Sequence, residues 1–236
     1  MAGAAPSDWN GCNYQVSPHW SIGSRNGMVL SMNQTVMDWP CGCRRDDFRG
    51  LDRLMSASSR GRQAAELLQK FGVMDILSDF DPVVAGTLPI GTDTASSDID
   101  ILCHASDLDR FRKFVMSRLN TFAQFSCHDR AATENVGAAV VVRFVCGGFP
   151  VEIFATNCPV MSQFGFVHML VEARILHLMG PDFAKGVLAL KMAGVKTEPA
   201  FAQLLGLDGD PYILLAEMVD MTPGEMHNRL ISTIRK

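Results

Sequence analysis

Hydrophobic and polar positions alternate with a period of two in several short runs. In the most regular run Asp98 and Asp100 alternate with two isoleucines, which is typical of a strand. Residues 140–145 and 149–154 are β-rich runs on either side of two adjacent glycines, and this arrangement predicts a hairpin. Residues 82–85 predict one more short strand.

A helical period of three to four residues appears on both sides of the first strands. Residues 58–73 place alanines, leucines and a phenylalanine at helical spacing after Ser58 or Ser59, either of which can serve as the N-cap. Ser106, with Asp109 three residues later, predicts a second helix that begins at Ser106.

After Pro159 the pattern changes to successive helices that end at glycines or begin at caps. The predicted helices cover residues 164–179, 182–193 and 197–205, and two more begin at Asp210-Pro211 and at the capping box Thr222-Pro-Gly-Glu225.

Together these elements predict an α+β fold with three parts. Residues 51–158 form a core with a mixed sheet, and residues 159–236 form an all-helical C-terminal portion. Residues 1–50 show neither period and are predicted to be an irregular extension.

Composition narrows the class of protein. The chain has 236 residues, 47% of them apolar and 19% charged, as expected for a globular protein. A net charge of −4 gives no general reason to expect nucleic-acid binding, although a local basic face remains open. No apolar run reaches the ~18 residues of a membrane span, and no secretory signal is evident.

Cysteine usage indicates a cytoplasmic location. Seven cysteines without repeated spacing do not form a secreted disulfide framework. Cys41 and Cys43 lack the second ligand pair that a structural zinc site needs.

Asp98 and Asp100 are the first candidate for chemistry. On a strand their carboxylates share one face, about 7 Å apart, and they repel each other unless a cation lies between them. Oxygen ligands of this kind suit Mg²⁺ or Mn²⁺. Glu152 lies inside a predicted strand, where a carboxylate is costly unless its face is polar or holds a metal. Alternatively, Asp98 simply caps the preceding loop.

A glycine turn before the aspartates could bind phosphate. Gly86-Thr87 can offer backbone amides and a hydroxyl to a triphosphate, and Ser96 or Ser97 can bind a phosphate oxygen or cap the turn. Three carboxylates with such a turn are used in metal-dependent nucleotidyl transfer.

Four further side chains are candidates for ligand binding. Lys191 and Lys196 can reach a triphosphate, or they can satisfy a helix C-terminus without any ligand. His168 and Arg174 can hold a phosphate or an acceptor. In the alternative, His168 pairs with Glu172 on a solvated helix face.

The chain resembles the polymerase-beta-like nucleotidyltransferase superfamily in one motif: Gly86-Thr87, ten intervening residues, the aspartate pair, and a later strand acid, here Glu152. Within that superfamily it is similar to the domain of unknown function 4269 family over about residues 60–216. The runs that carry this similarity are GTLPIGTDTASSDIDIL, VEIFATNCPVMSQFGFVHMLVEARIL and LKMAGVKTEPAFAQLLGLDGDPYILL.

The resemblance implies a nucleotidyltransferase fold, Mg²⁺ at Asp98 and Asp100, and Glu152 as third ligand or base. It also implies an NTP as donor and an acceptor that is a small molecule, a protein or an RNA. The alternative is a non-catalytic nucleotide-binding or antitoxin-like regulatory module of the same fold. An aspartyl-phosphate phosphatase is disfavoured because Leu102 stands where that motif has Thr or Val. A sugar-nucleotide enzyme is disfavoured because no Rossmann glycine loop precedes the pair.

Overall fold

The computed structural model describes residues 38–133 and 136–234. The helices are α1 (Asp52–Ala57), α2 (Ser59–Lys70), α3 (Val73–Ile76), α4 (Leu108–Arg118), α5 (Phe164–Met192), α6 (Thr197–Leu205), α7 (Pro211–Ala216) and α8 (Pro223–Ile234). The strands are β1 (Val83–Ala85), β2 (Ile99–His104), β3 (Ala123–Arg130), β4 (Ala139–Cys146) and β5 (Phe149–Thr156). Short 3₁₀ turns cover Arg45–Phe48, Ser78–Phe80 and Val160–Ser162.

The five strands form one mixed sheet in the order β1-β2-β5-β4-β3. Only β2 and β5 pair in parallel, and the other neighbours are antiparallel. The predicted hairpin is confirmed as β4 and β5. Its turn is Gly147-Gly148, where both residues have positive φ (56° and 89°), a conformation that glycine adopts at little cost. The mixed sheet of the predicted fold class is therefore present.

The two faces of the sheet pack against different helices. Ile99 and Ile101 are fully buried in a core that also holds Leu68 of α2 and Phe111 of α4. On the opposite face, Leu102 packs with Phe166 and its neighbours on α5. The alternation along β2 therefore sends its isoleucines to one core and its even-numbered residues toward α5.

The C-terminal portion is helical, as predicted, and has its own core around Ile175, Phe201 and Leu215. The predicted break at Gly180-Pro181 is present as a kink within α5, because Gly180 has the non-helical backbone angles φ 77° and ψ −174°. Within the described ranges, no helix combines the length and the apolarity needed to cross a bilayer.

Most predicted caps are confirmed. Ser58 caps α2, Asp210 caps α7, and the Thr222–Glu225 capping box precedes α8. The predicted cap Ser106 is wrong by one residue, because the carboxylate of Asp107 accepts the hydrogen bond from the Arg110 amide (2.9 Å) and begins α4.

Residues 38–50 pack against the C-terminal portion of the chain. Trp39 is buried and donates its indole N–H to the Met221 carbonyl (3.0 Å). Phe48 packs edge-on against Phe166, with ring centroids 6.0 Å apart. The part of the predicted extension that the structure describes thus has a structural role, and the rest, residues 1–37, lies outside the described residues. The predicted boundaries at residues 50 and 158 stay predictions.

Candidate active site

A cleft of about 450 Å³ lies between the sheet and the helices α5 and α6. Gly86, Asp100 and Glu152 line it from the side of the sheet. His168, Glu172 and Glu198 line it from the side of the helices. The cleft therefore brings residues from both predicted portions of the chain together.

The strand register places the predicted carboxylates. Ile99 and Ile101 are buried in the core, so Asp100 between them points to the cleft face. Its Cα partners are Ala85 on β1 and Glu152 on β5, and neighbouring strands lie about 4.8 Å apart. Asp98 is exposed and immediately precedes β2. The structure thus brings Asp100 next to Glu152, whereas Asp98 lies just before the strand and does not line the cleft.

The carboxylates perturb one another. Burial, and after it the nearby charges of Asp98 and Glu152, raise the pKa of Asp100 to about 7 against the opposing effect of Lys191. This carboxyl therefore binds its proton more tightly than an exposed aspartate does. Lys191 only partly offsets the burial and repulsion of Asp100, and a divalent cation would supply further positive charge.

Gly86 allows the phosphate turn to approach Asp100. Its φ is 75°, and a Cβ built there would lie 2.3 Å from the Oδ2 of Asp100. A side chain at this position would therefore be strained and would also displace the carboxylate.

Ser97 organises the loop that joins the turn to the aspartates. Its hydroxyl accepts from the Thr94 amide (2.9 Å) and lies 3.3 Å from the Thr87 hydroxyl. Its carbonyl accepts a hydrogen bond from Arg60 (2.7 Å). Thr87 lines the cleft and Ser97 does not, so Ser97 supports the shape of the loop rather than the wall of the cleft.

Glu152 is engaged by Arg143. The guanidinium donates to Oε2 from Nε (2.7 Å), and its Nη2 lies 2.6 Å from the same oxygen. In the described part of the chain, no group of three or more His, Cys, Asp or Glu side chains is arranged to hold a metal ion. The carboxylates of Asp98 and Asp100 are oxygen ligands that fit Mg²⁺. Glu152 would have to break its ion pair with Arg143 before it could bind the same metal ion.

The two lysines lie in different surroundings. Lys191 donates from Nζ to the Thr92 carbonyl (2.6 Å), which attaches α5 to the loop before the aspartates. Burial lowers its pKa, although Glu172, Asp93 and other acids oppose that shift. Lys196 is exposed and precedes the first residue of α6, and it does not line the cleft.

His168 lies in the cleft wall and Arg174 does not. One ring nitrogen of His168, Nε2, lies 2.9 Å from the Tyr212 carbonyl, and the other, Nδ1, lies 3.5 Å from Glu198. The alternative in which His168 pairs with Glu172 on a solvated face is wrong, because both residues are buried and the partner is Glu198.

Arg174 contacts other parts of the protein and not the cleft. Its guanidinium donates to the carbonyls of Cys43 (3.0 Å) and Val219 (2.5 Å) and lies over the Trp39 ring (4.7 Å to the centroid). It joins the segment before α1 to the C-terminal helices.

The carboxylate of Glu198 is held charged. Burial raises its pKa, but hydrogen bonds from the His168 ring and from its own backbone amide, together with the charges of His168 and Lys196, outweigh burial and lower it. Glu198 sits in the first turn of α6, where the helix dipole also favours an anion.

Sequence reasoning did not single out Arg143 or Gln163 as parts of the site. The contact of Arg143 with Glu152 could have been predicted from the hairpin. Its two-residue turn pairs Cys146 with Phe149, and the same antiparallel register, three residues further from the turn on each strand, pairs Arg143 with Glu152. Gln163 immediately precedes α5. The hydrophobic pattern does not predict its place in the site, because tertiary packing alone buries it.

A known protein family covers more than half of this chain. The model of a family described as "Domain of unknown function (DUF4269)" matches residues 66–218. The search of curated proteins found no match.

Solved structures of nucleotidyltransferases are similar to this chain. A structure of Cid1, described with an RNA terminal uridylyl transferase activity, shares 15% identity and a TM-score of 0.46, covering 65% of this chain and 52% of its own. A structure of a GLD-2/RNP-8 complex is 13% identical to this chain with a TM-score of 0.42, and the match covers 72% of this chain and 76% of the other. The chain spans about half the length of the first solved chains that it matches. Similarity at this level concerns the fold alone.

Proposed function

Because this chain belongs to the domain of unknown function 4269 family, whose description assigns no activity, we propose its function from the site itself. We propose that it transfers a nucleoside monophosphate from an NTP to a hydroxyl or amine, in a reaction that depends on Mg²⁺ or Mn²⁺. The observation that carries this proposal is the register that puts Asp100 beside Glu152 and against the Gly86 turn.

Each residue has a defined part in this proposal. Asp98 and Asp100 hold the metal, which when bound supplies the positive charge that offsets the phosphate oxygens during in-line displacement. The Gly86-Thr87 turn offers backbone amides and a hydroxyl to the triphosphate. Lys191 keeps the loop in place through the Thr92 carbonyl. The exposed Lys196 remains a candidate for the terminal phosphates.

Glu152 acts on the acceptor. Once released from Arg143, its carboxylate accepts the proton of the attacking hydroxyl or amine. A bond forms between the acceptor atom and the α-phosphorus, and the bond to the leaving pyrophosphate breaks. His168 lies across the cleft and is placed to contact the acceptor. Since the described cysteines are free thiols, we place the reaction in the reducing cytoplasm.

Calorimetric titration with ATP in the presence and absence of Mg²⁺ tests this function. We expect metal-dependent binding that is lost in the double variant Asp98→Asn plus Asp100→Asn, both of which keep the side-chain volume. An equally folded double variant that binds ATP and Mg²⁺ as the wild type does would contradict the assignment. The exposed Asp208→Asn variant serves as control for the loss of an acid.

The ion pair between Arg143 and Glu152 favours a second candidate, a nucleotide-binding module without turnover. In that case Arg143 stays on Glu152 and no carboxylate is available as base. Binding of ATP and Mg²⁺ by the wild type, without release of pyrophosphate in the presence of mixed hydroxyl and amine acceptors, would support this second candidate.

A further inference from the structure

Hydrogen-bond acceptors without donors gather on the helix side of the cleft. Glu172 on α5 is 3% exposed and lines the cavity. Among the residues that the structure describes, it makes no hydrogen bond or ion pair. A carboxylate that is buried in this way is costly unless a donor or a cation reaches it.

Gln163 presents a second acceptor of this kind. Its Nε2 donates to the carbonyls of Cys103 and Cys158, both at 2.9 Å, so the amide orientation is fixed by its two bonds. Its Oε1 is buried and has no partner among the described residues, and the side chain lines the same cavity. Gln163, immediately before α5, and Glu172, on α5, therefore bring unsatisfied acceptors to one space.

The charges around Glu172 leave it without a cation of its own. The charged groups that affect its pKa are the carboxylate of Glu198 and the ammonium of Lys191. Lys191 already donates to the Thr92 carbonyl, and the imidazole of His168 faces Glu198 and the Tyr212 carbonyl. Burial, followed by the charge of Glu198, raises the pKa of Glu172 well above its ordinary value, and Lys191 only partly offsets this.

We propose that Glu172, Glu198 and Gln163 form a subsite for a protonated amine or guanidinium group on the acceptor molecule. This subsite rests on the proposed function only in naming the ligand as the acceptor. Such a group has several N–H donors and a positive charge. Glu172 and the free amide oxygen of Gln163 lack both, and Glu198, which already accepts a hydrogen bond from His168, adds a second negative charge. The opposite wall, with Asp100 and Glu152, is left for the NTP and its metal.

A donor group could also come from the exocyclic amine of a nucleobase. That amine is neutral, whereas the subsite holds the carboxyl groups of Glu172 and Glu198. Lys191, the cation that acts on Glu172, already donates to the Thr92 carbonyl. The charge of the subsite therefore favours an ammonium or guanidinium over a base.

Binding of 1,5-diaminopentane, with 1,5-pentanediol as its neutral isostere, tests the subsite without any nucleotide or metal. We expect the wild type to bind the diamine and not the diol in calorimetric or saturation-transfer measurements. Glu172→Gln should weaken diamine binding by at least about tenfold, as loss of a charged hydrogen bond predicts. Glu66→Gln, an exposed acid on α2, should leave it unchanged. If Glu172→Gln fails to fold, Glu198→Gln gives the same test.

Two further variants separate this inference from the proposed function. The Asp98→Asn plus Asp100→Asn protein should lose binding of ATP and Mg²⁺ but keep binding of the diamine. If the double variant lost diamine binding while Glu172→Gln bound the diamine as the wild type does, the amine would bind at the metal site and the proposed subsite would be overturned. It would also be overturned if Glu172→Gln abolished a preference for ATP over ITP without affecting the diamine.

Discussion

Replacing Gly86 by alanine separates two effects that the structure predicts at one position. The first is backbone strain, because φ at Gly86 is 75°, and a residue with a Cβ pays about 1–2 kcal/mol in the left-handed region. The second is a collision, because the new Cβ would lie 2.3 Å from the Oδ2 of Asp100. The carboxylate must retreat by roughly 1 Å to reach ordinary contact.

The two effects have different consequences. The colliding atom is the far end of a side chain, so Asp100 can rotate away and the fold should survive. A carboxylate displaced by about 1 Å loses much of its contact with a bound metal, and a contact to a charged group is worth about 1.5–3 kcal/mol. We therefore expect Gly86→Ala to lose about 1–2 kcal/mol of unfolding free energy and roughly 10- to 150-fold in affinity for ATP and Mg²⁺.

Gly50→Ala is the matched control. Gly50 has a similar φ of 69°, and nothing lies within 4 Å of a Cβ built there. Urea unfolding should give similar losses for both variants, and calorimetry should find weakened binding of ATP and Mg²⁺ only for Gly86→Ala. Equal nucleotide affinity in the two variants would refute the claim that Gly86 is needed to position Asp100.

Three further predictions follow from contacts around the cleft. Ionisation of the buried Glu172, whose pKa is raised, opposes folding increasingly as pH rises above about 4.5. The melting temperature of Glu172→Gln should therefore rise relative to that of the wild type between pH 5 and pH 8, by about 2–4 °C for each kcal/mol of stability that ionisation costs the wild type. A difference in melting temperature that stays constant between the two pH values would contradict the burial of Glu172. Lys191→Met leaves the buried Thr92 carbonyl without its donor and should cost about 1–3 kcal/mol in urea unfolding, whereas the exposed Lys113→Met control should cost little. Arg143→Gln releases Glu152 and should tighten Mg²⁺ binding by up to about fivefold in calorimetry, the upper range for a solvent-exposed pair; weaker binding would indicate that Arg143 helps to hold the site.

Local patterns predicted most of the sheet. The alternation around Asp98 and Asp100 was sufficient for β2 and for the face that the Asp100 carboxylate occupies, because the isoleucines on either side of Asp100 are fully buried. The hairpin followed from two adjacent glycines between β-rich runs. These features depend on neighbours in the sequence, and the pattern therefore contains them.

The missed strand shows where that reasoning ends. The strand β3 lies at the edge of the sheet and most of its residues are exposed. Its sequence has only weak alternation, and it contains a register shift between Ala123 and Ser126. An edge strand with few buried positions is specified by pairing with β4 rather than by its own pattern.

Local sequence patterns also failed to predict the contacts on the helix side of the cleft, for a different reason. His168 and Glu172 are four residues apart on α5, which suggested a pair, but packing of α6 against α5 brings Glu198 to His168 instead. Arg174, predicted to bind substrate, is directed to the Cys43 carbonyl, 131 residues away in sequence. These contacts depend on how the helices pack, which spacing along one helix does not specify.

The most direct test of the proposed site is a crystal structure with Mn²⁺ and a non-hydrolysable ATP analogue, with the metal located by anomalous scattering. The account predicts a manganese peak bound by the carboxylates of Asp98 and Asp100, with the triphosphate against the Gly86-Thr87 turn. A nucleotide bound elsewhere, or one bound in the cleft with no metal at these two aspartates, would contradict it.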